Sequence, residues 1–523
     1  MKNTKISFRL ILAALAATAA LASCTKEITP GQTDKELVSP RSEGSRVIAV
    51  SFGNATKTGF SITDDGIAPF FEEGDDIVLC SDTDNPTDEN TQTCTVFIDE
   101  NTKAATITTK LTGELTAYYP ASLVSKSEKH GLYIYVPSAQ DGTFANANIC
   151  SATIAENATS ATFNNIYALF VVNTPSEGIK KLTIKSLRPI GDDGQRSGEE
   201  RIICGTGDDN CKITVGDGTE AIPSPCYVAL IHGVNLSDLS FEATSNVEGA
   251  TGYIKGIPTS AIANAAGGAV GSEEYVGMNS ILRGTSYTID GNNWHEYVTI
   301  AGRKWAKMNL KTSVTTGNYD DYYMWGTTVM AYSDIEASPC SLAVMKEMNP
   351  YGDEDYPRSW DANNGFSWYN CPFTYNVFSE INTNAFTKYV PIDQAAKYGD
   401  SCFYDDKTRL DLSDDAAHVH WGGAWRIPTK EELSSAQSTL QPSLSGTLNA
   451  TATESKVEIY DYEAKGYYWS STLDEANPSK AYCWVFNPGE DGSCQEIDRF
   501  YGCTIRAIVD EPAEEPQEDA SQD

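Results

Sequence analysis

Residues 420–433 read HWGGAWRIPTKEEL, and this stretch decides how the second half of the chain folds. Gly422 and Gly423 permit a tight turn with positive φ. Trp421 and Trp425 bring large apolar rings to the same turn, and burying each ring is worth on the order of 2 to 3 kcal/mol. The stretch therefore predicts a buried corner with Trp425 in the core. The alternative is that these side chains contact a ligand directly.

A helix is predicted to begin at the end of the same stretch. Pro428 fixes the backbone at its entry. Thr429 and Glu432 form a capping-box pattern, in which hydroxyl and carboxylate oxygens accept hydrogen bonds from free backbone N–H groups. Arg426 is expected to pair with a carboxylate. The apolar positions that follow at helical spacing are Leu433, Ala436 and Leu440.

Tryptophan divides the chain into two regions. The sequence has 523 residues, which is too long for one core, and all nine tryptophans lie between Trp294 and Trp484. The Ala- and Gly-rich run AIANAAGGAVGSEE precedes them, which predicts a linker over residues 261–280.

The region before the linker, residues 47–260, is predicted to be an antiparallel β-sandwich. It consists of short β-branched and aromatic runs separated by turn residues, among them TCTVFIDE, ATITTKL, GLYIYVP, IYALFVV, KKLTIKSL and CYVALIHGV. Several alternate apolar and polar residues, as half-exposed strands do. The whole chain is therefore expected to be mainly β.

Residues 281–509 are predicted to form an irregular α+β region. EYVTIAGRKWAKMNL indicates a hairpin that turns at Ala301 and Gly302. The final stretch, residues 510–523, has seven acidic groups and no basic one, which is typical of a disordered tail.

The first residues have the pattern of an export signal, residues 1–23. A basic start is followed by the apolar run Leu10–Ala22 and then by LASC, which places Cys24 at the cleavage boundary. LASC resembles a bacterial lipobox, and this resemblance implies that Cys24 is lipidated and anchors the mature protein. Residues 24–46 are polar and predict a flexible tether or propeptide.

Charge and cysteine content limit the chemistry of the protein. The formal net charge of −34 excludes nucleic acid as a partner, because phosphates need basic neutralisation. Apart from Cys24, six cysteines lie before the linker and six after it, and such even numbers suit disulfides in an exported chain, although some can be buried thiols. Cys204 and Cys211 are one possible pair across a hairpin. Cys483, Cys494 and Cys503 can pair among themselves or with a distant partner.

No catalytic, metal or cofactor site is predicted. His418 and His420 would share one face if they lay on a strand, but no third ligand is identifiable. The sequence has no nucleophile elbow of the G-x-S-x-G type, and a glycosidase carboxylate pair cannot be selected among 72 acidic residues. The protein is therefore predicted not to be an enzyme.

Carbohydrate binding is the better prospect, in the segment SWDANNGFSWYNCPFTYN, residues 359–376. Its aromatic faces and planar amides suit sugar rings, and loops often carry binding sites. The alternative is that these aromatics fill the core. The candidate ligand-binding residues are Trp360, Asn363, Asn364, Trp368 and Tyr369.

Two families resemble parts of the chain. Residues 47–260, through ATKTGFSI, FFEEGDDIVL, GELTAYYPAS, YIYVPSAQDG, ATFNNIYALFVVN and CYVALIHGVNLSDLSFEAT, resemble the fimbrillin-like lipoproteins of Bacteroidetes, which are subunits of type V pili. Residues 281–509, through GRKWAKMNL, YYMWGTT, WGGAWRIPT, GYYWSST and GCTIRAI, resemble the Fibrobacter major paralogous domain, a surface module thought to be related to C-type-lectin-like folds.

The fimbrillin resemblance implies export, trimming after an arginine and polymerisation with other fimbrillin subunits by strand exchange. Arg46 is the first candidate for the cleavage site because it precedes the apparent strand VIAVSF, and Arg41 is the second. Loss of that strand would open an apolar groove for a partner's strand. The acidic tail is a poor donor strand.

These observations predict a tip or accessory subunit of a fimbrium at the outer membrane and cell surface. Its C-terminal region is expected to bind a glycan or a surface protein. The alternative is a lipid-anchored protein that does not polymerise and binds polysaccharide at the cell surface.

Overall fold

The structure is a computed structural model, and it describes the chain in segments. These are residues 44–52, 71–205, 210–231, 235–245, 252–258, 286–289, 291, 293–311, 321–328, 371, 373, 386–394, 403–436, 466–486 and 492–510. Within these segments, no helix has the length and apolar character needed to cross a membrane.

The first part of the chain is a series of short strands. In chain order they are β1 (Arg46–Phe52), β2 (Asp76–Cys80), β3 (Thr91–Thr95), β4 (Phe97–Ile98), β5 (Ala105–Thr109), β6 (Leu115–Tyr119), β7 (Val124–Ser127), β8 (Gly131–Ile134), β9 (Ala139–Gln140), β10 (Cys150–Ile154) and β11 (Ser160–Asn165). A single-turn helix, α1 (Phe144–Ala147), precedes β10.

Eight of these strands form one curled sheet in the order β3-β2-β6-β10-β11-β1-β5-β4. The curl brings Thr109 of β5 to Gln92 of β3, where the threonine hydroxyl donates a 2.8 Å hydrogen bond. The alternate apolar residues of the strands point to one side and enclose a core of their own. Its members include Ile48, Ile77, Ile107, Leu115, Ile154 and Phe163.

The middle of the chain adds the strands of a second layered unit. They are β12 (Ala168–Val172), β13 (Lys181–Ser186), β14 (Lys212–Val215), β15 (Cys226–Leu230), β16 (Leu239–Thr244), β17 (Gly252–Gly256) and β18 (Ser286–Ile289). β12 lies between β15 and β18, and this small sheet shares a core with β13, β14 and β16. Phe170 and Phe241 meet across the two layers, with ring centroids 6.0 Å apart.

The last part of the chain mixes strands with two further helices. The strands are β19 (His295–Ile300), β20 (Arg303–Ala306), β21 (Trp425–Arg426), β22 (Gly466–Leu473), β23 (Lys480–Phe486), β24 (Ser493–Asp498) and β25 (Ile508–Val509). The helices are α2 (Ala416–Trp421) and α3 (Lys430–Ala436). β22, β23 and β24 form a separate antiparallel sheet.

One nine-stranded sheet joins the middle of the chain to its last part. Its order is β21-β25-β20-β19-β17-β16-β13-β14-β9. β17 precedes the predicted linker and β19 follows it, and the two pair directly, with Tyr253 opposite Glu296. β18 also follows the linker but pairs in parallel with β12. The boundaries at 260 and 281 stay a prediction for folding units, but the sheets run across them.

The structure confirms the predicted fold class, because the described residues are mainly β in several sheets. It also adds three parallel pairings to the antiparallel pattern, β1 with β11, β9 with β14 and β12 with β18. The predicted hairpin turn is confirmed, since Ala301 and Gly302 have φ values of 51° and 71° between β19 and β20.

The structure contains no disulfide bond among the ten cysteines that it describes. Cys204, for example, lies in a core, with its sulfur 3.5 Å from the carbonyl oxygens of Asn210 and Lys212. Burial of small apolar thiols therefore accounts for most of these positions. Cys24, Cys340 and Cys402 lie outside the described residues.

Candidate functional site

The glycine corner, residues 420–428, is the point where the last part of the chain meets β17. Gly422 ends α2, and both it and Gly423 have positive φ, 67° and 56°. A Cβ on Gly422 would lie 2.4 Å from the carbonyl carbon of Ile257, and one on Gly423 would lie 2.7 Å from Cα of Gly256. Two backbones therefore touch here, and only glycine leaves room for both.

Aromatic rings fill the space around this contact. Trp425 is completely buried, and its indole Nε1 donates to the carbonyl oxygen of Ile254 at 3.4 Å. Trp421 stacks on His295 with centroids 3.8 Å apart. Burial, with a smaller contribution from the charge of Lys255, lowers the pKa of His295 to about 3, so this ring is neutral.

A buried ion-pair network stabilises the C-terminal end of the glycine corner. Arg426 donates two 2.7 Å hydrogen bonds to the carboxylate of Glu432 and one of 2.8 Å from Nε to Asp510. Burial alone would raise the pKa of Glu432, but the hydrogen bonds and charge of Arg426 outweigh burial and lower the pKa to about 2. Thr429 and Glu432 exchange the two capping-box hydrogen bonds, at 2.8 and 3.3 Å. The sequence predictions for Trp425, Arg426 and the helix cap are confirmed.

Arg196, in the loop between β13 and β14, contacts the glycine corner. Its buried guanidinium pairs with Asp238 at 2.9 Å and donates to the carbonyl oxygens of Arg188 and Ser237 at 2.6 and 3.2 Å. A fourth hydrogen bond, 3.0 Å long, reaches the carbonyl oxygen of Gly423. One side chain thus joins two parts of the chain that are 227 residues apart. Nothing local in GDDGQRSG signals this role.

These contacts make the corner a structural joint. Its charged groups are paired with one another, and its aromatic rings are covered by protein. The corner is therefore buried, as the sequence predicts, and the structure adds that it packs against β17 from before the predicted linker.

The interpretation of His418 and His420 as strand residues is wrong. Both lie in α2, which begins after Asp415, and residues two apart on a helix point in different directions. His418 Nδ1 is 3.3 Å from the carbonyl oxygen of Trp425, and His420 Nε2 is 2.5 Å from that of Thr328. Among the described residues, no group of three His, Cys, Asp or Glu side chains could hold a metal ion.

The candidate sugar-binding residues belong to the segment 359–376. Trp360, Asn363, Asn364, Trp368 and Tyr369 all lie outside the described residues, as does Cys24. Their proposed roles stay predictions from sequence.

The candidate cleavage residue, Arg46, is the first residue of β1. It pairs with Thr109 of β5, and its guanidinium donates to the carbonyl oxygens of Gly113 at 3.3 Å and of Glu156. β1 itself lies inside the eight-stranded sheet, antiparallel to β5 and parallel to β11. The Arg46–Val47 peptide bond is therefore held within a paired strand.

The inward side chains of β1 fill the centre of the curled sheet. Ile48 and Val50 are 0% and 5% exposed. Phe52 stacks on Phe71 with centroids 4.1 Å apart and meets Phe163 edge-on at 6.4 Å. Without β1, the sheet would hold an apolar groove open between β5 and β11. This β1 groove is the candidate acceptor site.

At the other end of the described chain, β25 is fixed in place. It pairs with β20 and β21 inside the nine-stranded sheet. Asp510, just after it, donates its N–H to the carbonyl oxygen of Ala424 at 2.7 Å and accepts a hydrogen bond from Arg426. Ile508 and Val509 are buried. Extracting this strand would break the glycine corner.

Solved structures from Bacteroides are similar to parts of the chain. A fimbrial protein from Bacteroides ovatus covers 90% of this chain and 100% of its own, with 12% identity and a TM-score of 0.21. Two proteins described as "putative cell adhesion protein" follow. The one from Bacteroides ovatus covers 42% of this chain and 87% of its own, with 15% identity and a TM-score of 0.24. The one from Bacteroides uniformis covers 47% and 92%, with 11% identity and a TM-score of 0.26.

No family model and no curated protein matches the chain. TM-scores of this size do not establish a common fold.

Proposed function

We propose that this protein is a tip or accessory subunit of a cell-surface fimbrium that accepts a β-strand from a neighbouring subunit and does not donate one. Its last region, residues 281–509, would present the adhesive surface, which binds a glycan or a surface protein. The observation that carries the proposal is the asymmetry between the two ends of the described chain. β1 fills an apolar groove at one end, whereas β25 is locked into a sheet at the other.

The β1 groove has the properties of a strand acceptor. If β1 leaves, β5 and β11 each expose an unpaired edge, and the sites of Ile48 and Val50 expose apolar core. Both changes are unfavourable in water. A donor strand with apolar residues at alternate positions, and an aromatic residue at the Phe52 position, would pair both edges again and cover the apolar core.

The proposed cleavage site needs one correction to its mechanism. Cleavage after Arg46 would leave β1 joined to the chain through Phe52, so the cut alone cannot remove this strand. It would instead free the N-terminal end of β1, which could then leave the groove while staying covalently attached. Because the Arg46 backbone is paired, cleavage would precede docking of β1 or follow its local opening.

The locked β25 supports an acceptor that does not donate. Donation would require extraction of Ile508 and Val509 from the core together with loss of the Arg426–Asp510 pair. A subunit of this kind can end or decorate a filament but cannot continue it. Lipidation at Cys24 would deliver it to the outer membrane before processing.

A reversible lock on β1 tests the proposal. Ala49 and Thr106 face each other in the β1–β5 register, and both lie outside the core. The double variant Ala49→Cys with Thr106→Cys, once oxidised, should not enter filaments, and reduction should restore entry. Each single variant is the control. Undiminished incorporation of the oxidised double variant would rule out strand exchange at this groove.

The second candidate is a lipid-anchored protein that binds polysaccharide and never polymerises. The specific observation in its favour is that β1 already completes the sheet, with both of its edges paired. N-terminal sequencing of the mature protein separates the two candidates. Val47 at the N-terminus, absent in an Arg46→Ala variant and kept in Arg41→Ala, supports the fimbrial subunit. A retained, acylated Cys24 supports the anchored binder.

A further inference from the structure

Two buried cysteines meet in the core of the last region. Cys483 lies on β23, and Cys503 lies in the segment that leads into β25. Both are 0% exposed, and their sulfur atoms are 3.7 Å apart. Twenty residues separate them in sequence. Their side chains therefore meet through the fold and not through a local turn.

The sheet register excludes Cys494 from this pair. Cys494 on β24 lies opposite Trp484, which is next to Cys483, and neighbouring strand residues point to opposite faces. Its sulfur lies 3.4 Å from the Ser434 hydroxyl and 3.7 Å from the carbonyl oxygen of Lys430. Of the three cysteines in this stretch, only Cys483 and Cys503 are in contact.

We propose that Cys483 and Cys503 form a disulfide in the exported protein. A disulfide bond is about 2 Å long, so the two sulfurs, which are 3.7 Å apart, need to move closer by less than about 2 Å. Exported proteins fold in compartments where disulfides form and persist. The inference uses only the export step of the function proposed above.

The bond would form by exchange with a disulfide-bearing oxidant of the cell envelope. The thiolate of one cysteine attacks the oxidant's disulfide and releases one of its sulfurs as a thiol. The thiolate of the second cysteine then attacks the mixed disulfide and releases the other. Two protons leave the cysteines, the two electrons pass to the oxidant, and the oxidant ends as a dithiol.

This exchange would take place before the core closes. Burial, and then the neighbouring Cys483 sulfur, raises the pKa of the Cys503 thiol in the folded protein, so its reactive thiolate is suppressed there. Once formed, the bond would join β23 to a segment whose backbone pairs with Tyr323 through two 3.0 Å hydrogen bonds. It would thus link the sheet of β22, β23 and β24 to the segment that precedes β25.

Peptide mapping tests the proposal. Protein from the cell envelope is denatured, alkylated without reductant and digested with trypsin. We expect residues 481–499 and 500–506 to appear as one disulfide-linked species that separates on reduction. Cys494→Ala should keep the link, whereas Cys483→Ala and Cys503→Ala should each abolish it. Full alkylation of Cys483 and Cys503, or a link through Cys494, would overturn the proposal.

A second measurement separates failure of this inference from failure of export. Protein made in the cytosol and refolded with a glutathione redox pair should acquire the same link. Its Tm should exceed that of the reduced protein by at least about 3 °C. Cys494→Ala should keep this difference, and Cys503→Ala should lose it. Equal Tm values with both thiols free after refolding would refute the pairing even if export occurs.

Discussion

Replacing Gly256 by alanine tests whether the two regions of the chain share one folded joint. Gly256 ends β17, before the predicted linker, and its backbone does not have positive φ. A Cβ there would lie 2.1 Å from the carbonyl carbon of Gly422 and 2.3 Å from its oxygen. Ordinary contact begins at 3.4 Å, so the two backbones would have to separate by 3.4 − 2.1 = 1.3 Å.

The expected cost follows from the rigidity of both sides. The nearest atoms belong to backbone, so no side-chain rotation relieves the contact. Overpacking of this kind costs about 1 to 3 kcal/mol, with the upper end expected between two backbones. Alanine returns about 0.4 to 1 kcal/mol by restricting the unfolded chain. We therefore expect a net loss of about 2 kcal/mol in the free energy of unfolding.

Tryptophan fluorescence during urea unfolding is the assay, because all nine tryptophans lie at Trp294 or later. The signal therefore reports on the last region, whereas the substitution lies outside it. Gly256→Ala should lower the midpoint of this transition. Gly291→Ala is the control, since its Cβ would meet nothing closer than 3.5 Å. If Gly256→Ala unfolds like the control, the two regions are not joined at the glycine corner.

Three further predictions concern the same joint. Arg426→Met should lower the free energy of unfolding by about 3 kcal/mol or more, because two carboxylates lose a buried partner; calorimetry measures it. His295 has a pKa lowered from its unfolded value near 6.5 to about 3, so its contribution to stability is present above pH 6.5 and is lost as the pH falls toward 3. His295→Phe keeps the aromatic stack and should lessen this loss by at most about 1.4 kcal/mol per pH unit in urea titrations between pH 6.5 and 4.5. Residues 281–509 expressed alone should show no cooperative unfolding transition by circular dichroism, because β19 would lack β17.

The first of these variants has a matched control, and each of the three predictions has a contrary result. Arg303→Met also removes a partner of Glu432, but its side chain is 26% exposed against 5% for Arg426, so its loss should be below about 1 kcal/mol. Equal losses would contradict the buried-network account. Parallel pH profiles for wild type and His295→Phe would contradict the buried neutral ring. A stable, cooperative 281–509 fragment would show that the shared sheet is dispensable.

Local signals in the sequence predicted local structure well. The turn at Ala301 and Gly302 and the cap formed by Thr429 and Glu432 depend on residues within a few positions of one another. Such features do not depend on contacts with distant parts of the chain. The burial of Trp425 was also predictable, because burying a large apolar ring is strongly favourable.

Helix α2 was missed although a signal for it existed. Asp415 accepts a hydrogen bond from the backbone of His418, as an N-cap does. The following AAHVHW has four apolar residues among six and no clear helical period, so its pattern does not predict a helix. A short helix buried on most sides does not show amphipathic spacing.

Long-range contacts could not be predicted from the sequence. Arg196 reaches Gly423, and β18 returns to β12 after the predicted linker, because of the complete fold. The close backbone contact between Gly256 and Gly422 could not be predicted either, because in the sequence each residue resembles an ordinary strand or turn glycine. These contacts also explain why a border in tryptophan content does not mark a border between sheets.

Immunogold labelling of intact filaments is the most direct test of the proposed function. A subunit that accepts a strand through the β1 groove but cannot release β25 should appear as single gold particles at filament ends or at isolated branch points. Continuous labelling along the shafts would contradict the account, because it would mean that this protein donates a strand as well.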